Sequence, residues 1–101
     1  SQTRSFCYVD DLINGLILLM DNNYYKPINI GNPFEVNILE LAELIIKKIN
    51  PKLKFDFYPL PNDDPFKRKP NIGLAIKELA WMPKINLNLG LEKTINYFRN
   101  Y

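Results

Sequence analysis

The 101 residues contain no histidine and a single cysteine, Cys7. Without histidine the chain lacks the side chain that most readily exchanges a proton near neutral pH, and with it the commonest zinc ligand. Any acid–base step would fall to Asp, Glu, Tyr or Lys, and no metal site is expected. One cysteine excludes an internal disulfide and a thiolate metal cage. The four glycines never form the Gly-x-Gly-x-x-Gly spacing whose amides cradle a pyrophosphate. The densest apolar stretch, residues 16–20, is far short of the roughly 18–20 residues of a membrane span, so no direct membrane contact is expected from this segment. No basic run exceeds three residues and none is interleaved with aromatics, which argues against nucleic acid as a partner. Nothing near Ser1 resembles a signal peptide, and with no initiating Met the chain is expected to be a fragment or a processed product.

What is present fits one small globular unit. The apolar share, 47 %, is ordinary for a folded domain and argues against disorder. Charge is uneven. Residues 1–50 hold four Lys/Arg against six Asp/Glu, whereas residues 51–101 hold nine against five, so an anionic ligand suits the second half better. The longest basic run lies in Asp63-Asp64-Pro65-Phe66-Lys67-Arg68-Lys69-Pro70-Asn71. Prolines at 59, 61, 65 and 70 restrict the backbone there, and each removes one amide donor. Composition leaves two readings open: a stiff solvated linker, or a loop that aims Arg68 at a ligand. Lys67 and Lys69 read as general positive potential or solvated surface.

Periodicity predicts four helices and three short strands. Residues 6–9 and 27–30 read as buried strands, and alternation of Leu53, Phe55 and Phe57 with Lys54, Asp56 and Tyr58 predicts a third. A helix is expected over residues 12–20, capped by Asp10 or Asp11. The pair Asn37/Glu40 has the spacing of a capping box and opens an amphipathic helix, closed by Lys47, Lys48 and Asn50-Pro51. Asn71 is expected to cap a third helix over 72–79, after which Trp81-Met82-Pro83 packs its end. Asn88 is expected to cap a fourth over 89–99. The class is α/β, and its strands are too few to make a sheet of their own. Asp10 and Asp11 read as caps and anchors rather than a catalytic pair, because amides at a helix start lower a carboxylate's pKa. Gly31 reads as a turn glycine.

Taken together, Gln2-Thr3-Arg4-Ser5-Phe6-Cys7-Tyr8-Val9-Asp10-Asp11-Leu12, Asn29-Ile30-Gly31-Asn32-Pro33, Asp63-Asp64-Pro65 with Lys67-Arg68-Lys69-Pro70, Trp81-Met82-Pro83 and Gly90-Leu91 stand in an order that resembles the extended short-chain dehydrogenase/reductases. The first string is widespread among them. The asparagine–glycine turn and the Arg-Lys-Pro segment are narrower, and resemble the UDP-glucuronate decarboxylases. The resemblance covers nearly all of residues 1–101 and implies the C-terminal nucleotide-sugar-binding region of such an enzyme. It implies NAD as cofactor, bound by an N-terminal Rossmann core that these residues do not contain, together with the catalytic Tyr and Lys. It also implies UDP-glucuronate as substrate and a homodimeric parent, in the cytoplasm or, with an N-terminal anchor, in the Golgi lumen.

By the same resemblance Arg4 lies by the UDP diphosphate, and Arg68 serves both substrate binding and decarboxylation. Gln2 and Tyr8 are candidate uridine or ribose contacts. The segment alone is expected to be inactive and poorly stable. Two positions depart from the family pattern: Asn71 stands where aspartate is usual, and Leu79-Ala80-Trp81 replaces Leu-Gly-Trp. The other readings are a different nucleotide-sugar enzyme (a 4-epimerase or 4,6-dehydratase), a non-catalytic UDP- or anion-binding module, and a truncated reading frame without activity.

Overall fold

The computed structural model describes residues 2–54, 56 and 69–100. Its elements in chain order are β1 (Thr3–Arg4), α1 (Val9–Met20), β2 (Val36–Asn37), α2 (Ile38–Ile49), α3 (Gly73–Leu79) and α4 (Leu87–Arg99). β1 and β2 form a two-stranded antiparallel ladder, with Thr3 opposite Asn37 and Arg4 opposite Val36. The α/β class and the four helices are as expected. The strands are not where alternation placed them.

Residues 6–8 are coil. Their carbonyls are engaged outside any ladder: the Phe6 oxygen accepts from Asn32 Nδ2 at 2.9 Å, and the Tyr8 oxygen accepts from the Leu12 amide at 3.1 Å. α1 therefore begins at Val9, three residues before the expected start. Tyr8, in extended conformation, is its N-cap without a side-chain bond. Asp10 and Asp11 sit inside the first turn, where they face the helix dipole favourably. Residues 27–30 are coil as well. Ile28 and Ile30 pack on the core, so their alternation reflects which side is covered and not a ladder. Leu53, Lys54 and Asp56 lie outside any strand and are exposed; the rest of the third expected strand lies outside the described residues.

α2 follows its expected boundaries. Asn37 Oδ1 accepts from the Leu39 amide at 2.8 Å, and the Ile38 amide donates to the Gln2 carbonyl at 2.9 Å, which joins the helix start to β1. α4 starts two residues early. Asn86, not Asn88, is its cap, accepting from the Leu89 amide at 2.8 Å. Asn71 acts just before α3, its Oδ1 accepting from the Gly73 amide at 3.0 Å, while Ile72 holds the cap position. α2 and α4 are joined by Lys48 Nζ to Glu92 Oε1 at 3.1 Å.

The core is small. Among the described residues its buried apolar members are Ile72, Ala75, Leu79 and Trp81, with Cys7, Leu19, Ile28 and Ile30 packed against them. Asp11, also buried, holds this core to α1. Its Oδ2 accepts from the Lys84 and Ile85 amides at 3.0 and 2.9 Å, and its carbonyl accepts from Trp81 Nε1 at 2.9 Å. One turn later Gly15 meets the same indole. A Cβ there would lie 2.8 Å from Ile30 Cγ2 and 3.1 Å from Trp81 Nε1, so only glycine permits this approach. Ala80 ends α3 in the left-handed region, at φ 52°.

Two stability changes follow, both readable as urea midpoints at constant slope. Asp11→Ala strands two amides and costs about 3 kcal/mol, whereas Asp11→Asn, whose carbonyl oxygen can still accept both bonds, costs roughly 1 kcal/mol. Ala80→Gly removes the Cβ clash of the left-handed conformation and raises stability by about 1 kcal/mol.

Candidate functional site

The Arg4 cleft is assembled from three stretches distant in sequence. It encloses about 430 Å³ and is lined by Arg4 and Ser5 after β1, Leu12 of α1, the loop 29–32, and Lys69-Pro70 at the end of the basic segment. Among the described residues its lining includes two cations and no carboxylate, which favours an anionic ligand.

Each wall is held by an identifiable contact. Arg4 Nη1 donates to the Thr3 carbonyl at 2.7 Å, which orients the guanidinium along the start of the chain. Asn32 is buried: besides its bond to Phe6, its Oδ1 accepts from the Phe34 amide at 3.0 Å, closing the turn. Asn29 Nδ2 donates to the Asn71 carbonyl at 3.4 Å, across to the wall that carries Lys69. Gly31 is required by close approach and not by a left-handed backbone: its φ is not positive, and a Cβ would lie 2.9 Å from Pro70 Cγ.

Arg4 and the end of the basic segment thus share one cleft, and Lys69, read from sequence as general positive potential or solvated surface, is exposed and part of its lining. Arg68 lies outside the described residues. Gln2 and Tyr8 do not line this cleft. The Gln2 carbonyl holds the start of α2, while Tyr8 borders an adjoining apolar pocket of about 260 Å³ between α2 and α4. Asn29, Asn32 and Lys69 were not singled out as site residues from sequence. The asparagine–glycine–asparagine–proline turn carried the available signal for the first two. Cys7 borders the cleft, and its thiol is pushed up from the usual value by burial and then by the Asp11 carboxylate, so it stays protonated at neutral pH and is not poised as a nucleophile. Among the described residues no group of three or more His, Cys, Asp or Glu could hold a metal, and no helix is long and apolar enough to cross a membrane.

No protein-family model matches the chain. Solved structures place it in a class. It superimposes on a UDP-glucose 4-epimerase from Thermotoga maritima, a complex with UDP-glucose, with a TM-score of 0.89 at 28 % identity, over 97 % of this chain and 32 % of that one. It also superimposes on UDP-glucuronic acid 4-epimerase from Bacillus cereus, a complex with UDP-glucuronic acid and NAD, with a TM-score of 0.84 at 28 % identity, over 98 % of this chain and 32 % of that one. The fold is that of the extended short-chain dehydrogenase/reductases of the epimerase/dehydratase type. Sequence narrows this further: the chain is 50 % identical over 99 residues to UDP-glucuronic acid decarboxylase 1 of Arabidopsis thaliana, which covers 98 % of this chain and 23 % of that protein. The chain is thus similar in sequence to the UDP-glucuronic acid decarboxylases, and spans about a quarter of the length of the curated relatives it matches.

The contact of Gly31 with Pro70 makes one wall of the cleft testable. Gly31→Ala forces Pro70 to move and costs about 1 kcal/mol through overpacking. Amide shift changes should concentrate at Asn29, Lys69 and Asn71 in NMR spectra; changes spread evenly along α1 and α2 would count against this contact.

Proposed function

We propose that this chain is the substrate-binding part of a UDP-glucuronate decarboxylase, which converts UDP-glucuronate to UDP-xylose and carbon dioxide. The observation that carries the reading is the cleft whose lining, among the described residues, includes Arg4 and the Lys69-Pro70 end of the basic segment and no carboxylate. UDP-glucuronate presents two phosphates and a carboxylate, three anionic groups. Arg4 offers a planar fork able to give two charge-assisted bonds to phosphate. Arg68, next to Lys69 in sequence, is assigned by the family resemblance to the hexuronate carboxylate. The same resemblance assigns Gln2 and Tyr8 to the uridine and ribose, although neither lines this cleft.

NAD, when bound, supplies the removal and return of hydride at C4 of the sugar. The glycines present do not fit a pyrophosphate cradle: Gly15 and Gly90 are inside helices, Gly31 packs on Pro70, and the Gly73 amide is taken by Asn71. Its site belongs to residues outside these 101. The contribution of this chain is electrostatic. Once C4 is a ketone, the bond from C5 to the carboxylate breaks with its electron pair moving toward that ketone, carbon dioxide leaves, and C5 of the enolate so formed takes up a proton from solvent. Arg68 holds the carboxylate in place and stabilises charge as this happens. It is not a proton donor, since a guanidinium pKa lies above about 12. The parent is read as a homodimer of the cytoplasm, with the Golgi lumen as the alternative for a polypeptide that carries an N-terminal anchor.

The purified 101-residue chain is expected to give no UDP-xylose from UDP-glucuronate and NAD. In a protein that also carries the cofactor-binding part, Arg4→Ala should weaken UDP binding by about 2 kcal/mol, roughly thirtyfold. Product analysis decides the reaction: carbon dioxide and a UDP-pentose support decarboxylation, and a UDP-hexuronate epimer without gas release would overturn it.

A further inference from the structure

Asn14-Gly15 is the one place in the 101 residues where glycine follows asparagine. Such a pair is chemically labile, because glycine has no Cβ to shield its amide nitrogen or restrict its backbone. The Gly15 nitrogen, deprotonated by hydroxide, can attack Cγ of Asn14, expelling ammonia and leaving a cyclic succinimide. Water then opens the ring on either side. The product is aspartate or, with the chain rerouted through Cβ and Cγ, isoaspartate. No oxidant or cofactor takes part, so the fold decides only whether the two atoms meet.

Inside α1 they are kept apart. The helix runs through both residues, which places the Gly15 amide in the ladder of bonds to carbonyls four residues back. Helical geometry also tilts the Asn14 side chain toward the helix start, away from the amide that follows it. Gly15 is buried, and its close approach to Ile30 and Trp81 leaves its backbone no room to swing. Asn14 is exposed, on a hollow of about 300 Å³ that Asp11, Trp81 and Lys84 also line. Water and hydroxide therefore reach the carboxamide, and the helical backbone alone withholds its partner.

α1 is nonetheless lightly held. No side chain caps its start, and its last turn carries no base. Its seat is the Asp11 carboxylate on the Lys84 and Ile85 amides and the contact of Gly15 with Trp81.

We propose that Asn14-Gly15 is a deamidation site gated by α1, closed while the helix is seated on Trp81 and converted to isoaspartate when it opens. The conversion runs one way. An isoaspartyl link adds a backbone atom before Gly15, so Gly15 and Leu19 cannot return to the core in register with Asp11. Aspartate in the ordinary linkage keeps that register and lets the helix close.

The test incubates this chain in mildly alkaline buffer, with and without denaturing urea, and follows Asn14 by peptide mapping with isoaspartate detection. Conversion about tenfold slower in buffer than in urea, or slower still, is expected, because reaction waits on local opening. Asp11→Asn, which loosens the seat, should raise the rate in buffer severalfold and leave the rate in urea unchanged. Trp81 is the single tryptophan, so its fluorescence reports whether α1 reseats once urea is removed. Emission of the isoaspartate form should stay red-shifted, whereas that of Asn14→Asp should match the parent. Equal rates with and without urea, an unchanged rate for Asp11→Asn in buffer, or native emission from the isoaspartate form would each overturn the proposal.

Discussion

Everything in this chain is positioned from one buried carboxylate. Asp11 takes two amides of the 84–85 turn on a single oxygen, and its own carbonyl takes the Trp81 indole. Bonds to a charged acceptor contribute roughly 1.5–3 kcal/mol each. With so few fully buried apolar side chains among the described residues, that is a large share of what holds α1 to α3 and to the approach of α4. The indole in turn requires Gly15, and Gly15 sets the distance from α1 to Ile30, which lines the Arg4 cleft. A change at Asp11 therefore reaches the cleft through packing, without contact with any ligand.

Asparagine amides perform much of the work that sheet ladders perform elsewhere. The only ladder among the described residues is two residues long on each side. The long coil between α1 and β2 is instead held by side chains: Asn22 Nδ2 to the Glu78 carbonyl at 3.0 Å, Asn29 to Asn71, and Asn32 to Phe6. Such bonds satisfy individual carbonyls without dictating a repeating backbone, so the coil can turn sharply where the cleft needs it. The result is a fixed loop beside Arg4 and Lys69 that is not part of any sheet.

How far this was legible from sequence depended on the range of the interaction. α2 was readable to the residue, since Asn37, its apolar stripe and Asn50-Pro51 are all local signals. The caps of α1 and α4 were misplaced by two or three residues, because several Asp and Asn side chains were locally eligible and the selected one depends on what else needs a partner. Asp11 had the right type for a cap, yet its carboxylate serves a turn more than seventy residues away. The expected strands at 6–9 and 27–30 failed for the same reason: alternation reports which side is covered, and cannot report where the carbonyls bond. Family resemblance singled out Arg4, whereas the place of the exposed Lys69 at the same opening depends on the fold.

By itself, then, the sequence determined the helices, the absence of histidine chemistry and the resemblance to the UDP-glucuronic acid decarboxylases, since each resides in residue type and short-range spacing. Only the tertiary structure decided that Arg4 and Lys69 share a cleft without Gln2 or Tyr8. It also decided that Gly31 serves close packing. Those outcomes depend on which distant backbone and side-chain groups satisfy one another, and no local pattern encodes that pairing.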